Sequence, residues 1–343
     1  MLGLFWNRDE RRLRALWRIV SCLIVAGCLG GLLYVCMQAA TRLGAPARFF
    51  HRPLSMFLGV VAQLAIVATA VAVTTRWIDR RPLSDFGLGW SRIFVDDFAA
   101  GLGLGGLLMA FVFVLEWTMG WVHVTGYFRS DWGRPFAVTL LGPVVVFLAV
   151  GFSEELLSRG YLLRNLSEGL RMGRIGPHAA LVMGCVLSSV SFGLGHARNP
   201  GATPVSIFNI MLAGVLLSFG YMLTGRLALS IGLHISWNFA QCSVFGYAVS
   251  GMTMLRTSLI ATEQTGPEIW TGGDFGPEGG LVGVLAVLIG IFLIGVWVQF
   301  RYGRAALHVA LLAPPLRAPR VRGQDGMPDP PTTASQPEGP RGP

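Results

Sequence analysis

Long apolar runs recur along the chain, broken by short polar stretches rich in Arg, Gly and Pro. About 20 mainly apolar helical residues suffice to cross a hydrocarbon core, with more or fewer as the helix tilts. Eight segments meet that length: Leu16–Ala40, Leu54–Thr75, Phe98–Trp121, Pro143–Leu166, Ala179–His196, Val205–Leu223, Ala228–Ser250 and Leu281–Phe300. The pattern predicts an all-α polytopic membrane protein of about eight transmembrane helices, spanning residues 16–300. The fourth, fifth and seventh runs carry polar residues inside them. Gly27/Gly31 and Gly101/Gly105 are four apart, a spacing that lets a second helix approach closely.

Composition agrees with this reading. Hydrophobic residues make up 53% of the chain and charged residues 13%, too little charge to coat a soluble globule. The net charge of +9 comes from Arg alone, since no Lys is present. These Arg sit singly or in small groups between apolar runs, so nucleic acid is excluded as a partner and membrane lipid is expected.

Twenty Arg fall on the side of the N-terminus, among them Arg8, Arg11, Arg12, Arg14, Arg18, Arg76, Arg80, Arg81, Arg92, Arg171 and Arg174, against seven on the other side. That bias predicts both termini in the cytoplasm. Residues 1–15 read as an interfacial segment on the cytoplasmic leaflet, and residues 313–343, rich in Pro and Gly, as a disordered tail. The apolar run after Trp17 is too long for a signal-peptide core and is not followed by a small-residue cleavage site, so it is expected to remain as the first span. Arg without Lys, with abundant Gly and Ala, points to a GC-rich genome and a bacterial inner membrane.

Cys22, Cys28, Cys36, Cys185 and Cys242 all lie in apolar runs without C-x-x-C spacing, which reads as small buried hydrophobes, not as a disulfide framework or zinc knuckle. Glu263, Glu268, Asp274 and Glu278, in the long outer loop 251–280, read as solvated charges.

Ionisable groups inside a span cost at least a few kcal/mol and face protein or water. Three stretches contain them: Glu154 and Glu155 with Arg159, then Phe192 with His196, then His234 with Asn238. Glu155 and Arg159 are one helical turn apart and can pair, whereas Glu154 is turned about 100° away and free to face a cavity. Singly, each has a structural explanation: an internal ion pair, a core histidine, an amide bonded across helices. Together, a carboxylate, two imidazoles and an amide on three helices form a set able to activate water and stabilise an oxyanion. Depth is the difficulty. At 1.5 Å per residue, His196 would stand about 28 Å along its helix and His234 about 9 Å along its own from the opposite side, so the span ends are expected to shift.

The order Glu-Glu-x-x-x-Arg, Phe-x-x-x-His, His-x-x-x-Asn resembles the CAAX-protease and bacteriocin-processing family, also called Abi, of intramembrane proteases. The likeness runs from Arg81-Pro-Leu-Ser-Asp-Phe-Gly-Leu to Asn238, with core motifs inside 136–250. The resemblance implies an intramembrane endopeptidase acting on a membrane-associated or lipidated peptide or protein. It implies that Glu154 activates water with help from His196, that His234 and Asn238 hold and polarise the scissile carbonyl, and that Glu155 and Arg159 orient Glu154. One Glu and two His could hold a divalent metal such as zinc on Glu154, His196 and His234, or act without metal. His-Glu-x-x-His is absent, as is Gly-x-Ser-Gly within a span, and the Gly273-Asp274 pair lies in a polar loop, which sets aside other intramembrane protease types. A transporter would show repeated halves, and none is visible. A non-catalytic immunity or scaffold protein on the same fold is the remaining alternative.

Overall fold

The computed structural model describes residues 4–42, 52–130, 134–171, 174–253 and 257–312; the expected tail, 313–343, lies outside the described residues. Most of the described residues are helical. In order come α1 (Ala15–Arg42), α2 (Arg52–Thr74, continued by a π-turn over Thr75–Asp79), α3 (Arg92–Thr118), α4 (Phe136–Glu155), a π-helix (Leu156–Leu163) and α5 (Arg164–Leu170). They are followed by α6 (Pro177–Gly195), α7 (Pro204–Thr224), α8 (Ala228–Phe239, with a π-turn over Ala240–Val244), α9 (Glu268–Thr271) and α10 (Leu281–Tyr302). Local chemistry marks the ends. Ser91 accepts from Phe94 N–H at 3.1 Å, Thr203 and Ser206 form a capping box ahead of α7, and Gly225 closes α7 at φ 67°.

Among the described residues seven helices are long and apolar enough to cross a membrane, and the protein is an integral membrane protein. The expected seventh span, Ala228–Ser250, is shorter: its helix ends at Val244, about 25 Å from Ala228. Ten of the twelve α8 residues are buried, so this rod is enclosed by other helices and touches little lipid.

Close packing of α8 on α3 explains that enclosure. A Cβ on Gly101 or Gly105 would run into backbone atoms of Leu229, Leu233 and Trp237, and one on Gly232 would strike Phe98 O and Leu102 N. Only hydrogen at these positions allows the two backbones to meet. Among the described residues nothing lies within 4 Å of where a Cβ on Gly27 or Gly31 would stand, so their spacing marks no helix contact there. Cys22, Cys185 and Cys242 are buried, but Cys28 and Cys36 are exposed on α1, against the expectation that all five pack inside.

Two small sheets accompany the helices. β1 (Trp6–Asn7) and β2 (Arg12–Leu13) form a hairpin in the N-terminal segment. β3 (Val122–Ser130) and β4 (Thr257–Gln264) pair antiparallel from Val122↔Gln264 to Ser130↔Thr257. The ribbon is tied to α3 where Gln264 Nε2 reaches buried Glu116 at 3.2 Å.

At the opposite end, segments distant in sequence meet on Glu168. Its carboxylate accepts from Arg81 Nη2 at 2.7 Å, Arg18 Nη1 at 2.9 Å and Arg12 Nη2 at 3.1 Å. Asp85 receives Arg164 through Oδ1 at 2.9 Å and through its backbone carbonyl. Buried like charges are tolerable only when interleaved with opposite ones, and this cluster staples the N-terminal segment to α2 and α5.

Candidate active site

Residues of α4, the π-helix, α6 and α8 build the site. Gly151 of α4 packs on Ile235 of α8, which brings the last turn of α4 against the middle of α8. There the two adjacent glutamates part. Glu155 has no exposed side-chain surface, whereas that of Glu154 is 24% exposed.

Glu155 Oε1 accepts from Arg159 Nη1 and from His234 Nδ1, both at 2.8 Å. Arg159 is buried and further engaged: Nη2 donates to Gly214 O at 3.1 Å, Nε to Ser218 Oγ at 3.4 Å, and its guanidinium lies 4.3 Å from the centre of the Phe192 ring. Gly214 and Ser218, four apart on α7, are supports that the motifs alone do not announce, although small and polar residues in an apolar helix are a faint sign. The π-helix widens the turn through Arg159, a distortion often met at functional sites.

With Nδ1–H spent on Glu155, His234 turns Nε2 toward Glu154 Oε2, 3.9 Å away. That gap exceeds a hydrogen bond and suits a bridging water or substrate atom. Asn238 follows one turn later on the same face of α8; it is 8% exposed, and its amide makes no hydrogen bond among the described residues.

His196 caps the C-terminal end of α6, and its Nδ1 stands 2.8 Å from Phe192 O. A carbonyl only accepts, so Nδ1 carries the proton and Nε2 is left for the site. The Phe192 ring centre lies 4.9 Å from that of His196 and 6.1 Å from that of His234, so one phenyl ring touches both imidazoles.

The depth difficulty resolves through the length of the fourth rod. From Phe136 to Leu170 it measures about 50 Å at the usual rise, far more than the roughly 30 Å hydrocarbon core. The early turns of α6 run antiparallel to its protruding end: Gly184 faces Leu163 and Ser167, and Ser188 Oγ donates to Ser158 O at 2.7 Å. Continuing that register sets His196 about level with Gly151, within a turn of Glu154. The helix enters beside the protrusion, so its far end lies at mid-depth.

Among the described residues no three His, Cys, Asp or Glu side chains converge as a metal-binding group.

One acidic residue differs from its expected setting. Glu263, Glu268 and Asp274 are exposed, but Glu278 is buried at 7% exposure, because its loop folds in over Ser250.

Fold and site together define an integral membrane protein with a carboxylate–imidazole–amide centre among its helices. Residues 136–240 match the family described as type II CAAX prenyl endopeptidase Rce1-like. The match covers all three motifs. No curated protein and no solved structure matches the chain.

Proposed function

We propose that the protein is an intramembrane endopeptidase that cleaves a membrane-associated, lipidated peptide by water activated on Glu154. The observation that carries this reading is the split between adjacent carboxylates, Glu155 locked by Arg159 and His234 and Glu154 left open opposite His234 Nε2. Glu154 takes a proton from water as the oxygen attacks the scissile carbonyl carbon. The developing oxyanion is met by the free amide of Asn238 and by His234. To donate from Nε2 while Nδ1–H is held by Glu155, His234 acts as the imidazolium, a form favoured between two carboxylates. Glu154 then passes its proton to the leaving amine nitrogen as the C–N bond breaks, leaving carboxylate and amine products. His196, with Nε2 unengaged, assists Glu154 at the water.

In this reading the substrate's lipid lies among the helices, both termini face the cytoplasm, and the enzyme resides in a bacterial inner membrane. The test is cleavage of a quenched fluorescent peptide carrying a farnesylated C-terminal CAAX sequence in proteoliposomes. Wild type should cleave it and Glu154→Ala should not; equal rates overturn the assignment of Glu154.

A further inference from the structure

At the end of α2 that meets the arginine cluster lies a pocket of about 350 Å³, lined by Ala72, Val73, Arg76, Trp77, Arg81 and Leu83. That volume is within the range of pockets that hold small-molecule ligands. Two elements form it, the last turns of α2 with their π-turn and the short turn Leu83–Phe86. Between them Arg80 closes the helix in the left-handed region at φ 59°, and the N–H groups of Arg80 and Arg81 both donate to Thr75 O. The reversal sends the Arg81 side chain into the protein and leaves Arg76 and Trp77 exposed.

The lining joins two chemistries. Ala72, Val73, Leu83 and the Trp77 indole are apolar, Arg76 and Arg81 are cationic, and no acid is among them. Arg81 Nη1 is held by Asp85 at 3.3 Å and Nη2 by Glu168 at 2.7 Å. Its Nε is buried 4.0 Å from Asp79 Oδ2 and has no hydrogen-bond partner among the described residues. The nearby acids are already matched, Glu168 by Arg12, Arg18 and Arg81, and Asp85 by Arg81 and Arg164. Arg76 has no acidic partner among the described residues. Its charge is surplus, and it stands on the rim of an apolar pocket.

Height in the bilayer fixes the class of ligand. Trp77 and Trp90 are 69% and 85% exposed, and exposed indoles gather where lipid headgroups meet water. A pocket at that level, apolar along α2 and cationic at the helix end, suits a lipid whose chain follows α2 and whose phosphate reaches the guanidiniums. Arg fits that role because its planar fork can bind two phosphate oxygens at once. A free phosphate would leave the apolar walls uncovered, and a headgroup ammonium would find no carboxylate in the lining.

We propose that this pocket binds one anionic phospholipid from the leaflet on the side of the N-terminus, with Arg76 as its phosphate contact. The inference stands apart from the protease reading and uses none of its residues.

The experiment is native mass spectrometry of the delipidated full chain in detergent. The protein is titrated with phosphatidylglycerol, with phosphatidylcholine of the same chains, and with inorganic phosphate. One saturable phosphatidylglycerol site is expected, about tenfold or more tighter than for phosphatidylcholine and not displaced by inorganic phosphate. Arg76→Gln should weaken it by about fivefold, the effect of one arginine at an anionic headgroup. Val73→Trp fills the pocket while keeping every arginine and should abolish the site. Arg92→Gln, exposed near Trp90 but outside the pocket, should bind like wild type. Equal weakening by Arg76→Gln and Arg92→Gln reads surface charge only and overturns the proposal. Equal affinity for the two lipids, displacement by inorganic phosphate, or binding untouched by Val73→Trp overturns it as well. Should Val73→Trp not fold, wild type is labelled with a phosphatidylglycerol carrying a photoreactive group near its glycerol. Crosslinks within residues 72–83 support the proposal, and crosslinks confined to other segments overturn it.

Discussion

Glu155 Oε1 stands 2.8 Å from His234 Nδ1 and equally far from Arg159 Nη1. One oxygen therefore fixes the tautomer of an imidazole on α8 while neutralising a guanidinium on its own helix. Glu154, one residue earlier and turned about 100° around the axis, carries neither duty and stays partly exposed. Helical geometry alone thus separates a paired, buried acid from a partly exposed neighbour.

That division predicts unequal damage. Arg159→Ala leaves Glu155 buried without its cation and strips the supports from α7, so it should lower stability by about 3–5 kcal/mol. Glu154→Gln should fold like wild type and lose cleavage. Thermal unfolding in detergent reads both, and equal loss of folded protein contradicts the division.

Asn238→Ala removes the proposed oxyanion donor and should slow turnover by about a hundred- to a thousandfold. On the proposed mechanism Glu154, His196, His234 and Asn238 act as a unit, so pairs of alanine changes should cost little beyond the worse single one. Additive losses measured in proteoliposomes would show independent roles.

Glycines of identical spacing should respond differently. Gly101→Ala drives a methyl into the backbone of α8 and should cost about 1–3 kcal/mol, as overpacking does. Gly27→Ala meets open space and should stay within about 0.5 kcal/mol of wild type. Unfolding midpoints for the two variants give the comparison.

Glu168 holds three buried arginines, so Glu168→Ala should destabilise by more than about 3 kcal/mol. The N-terminal segment, released from Arg12 and Arg18, should be the first part cut by added protease. Unchanged proteolysis would mean the hairpin is held by other contacts.

Orientation is predicted from the arginine bias. Reporter fusions after Arg92 and Arg174 should read cytoplasmic, and one at Gly266 external. A cytoplasmic signal at Gly266 contradicts the topology.

What was legible in the sequence follows from range. Pairs four apart on one helix, such as Glu155–Arg159 and His234–Asn238, have their geometry written locally, and the apolar runs carry their own length signal. Glu278 has no such neighbours; its burial is decided by Ser250 and by Asn209, 69 residues away from the turn's own Glu278 along the chain. The β3–β4 pairing likewise joins segments with all of α4 to α8 between them, beyond the reach of any local pattern. Gly27 and Gly101 show the same limit from the other side, since equal spacing says that a partner is permitted and not that one is there.

The enclosure of α8 bears on how the protein is made. Its helix carries His234, Asn238 and Ser230 inside a short rod, a sequence that gains less from lipid than its neighbours do. The glycine groove that receives it belongs to α3, which leaves the ribosome more than a hundred residues earlier. Biogenesis therefore orders itself: α3 waits in the bilayer with its groove unfilled, α8 enters against a protein surface and not against lipid, and the carboxylate–imidazole–amide centre is assembled only at that late docking step.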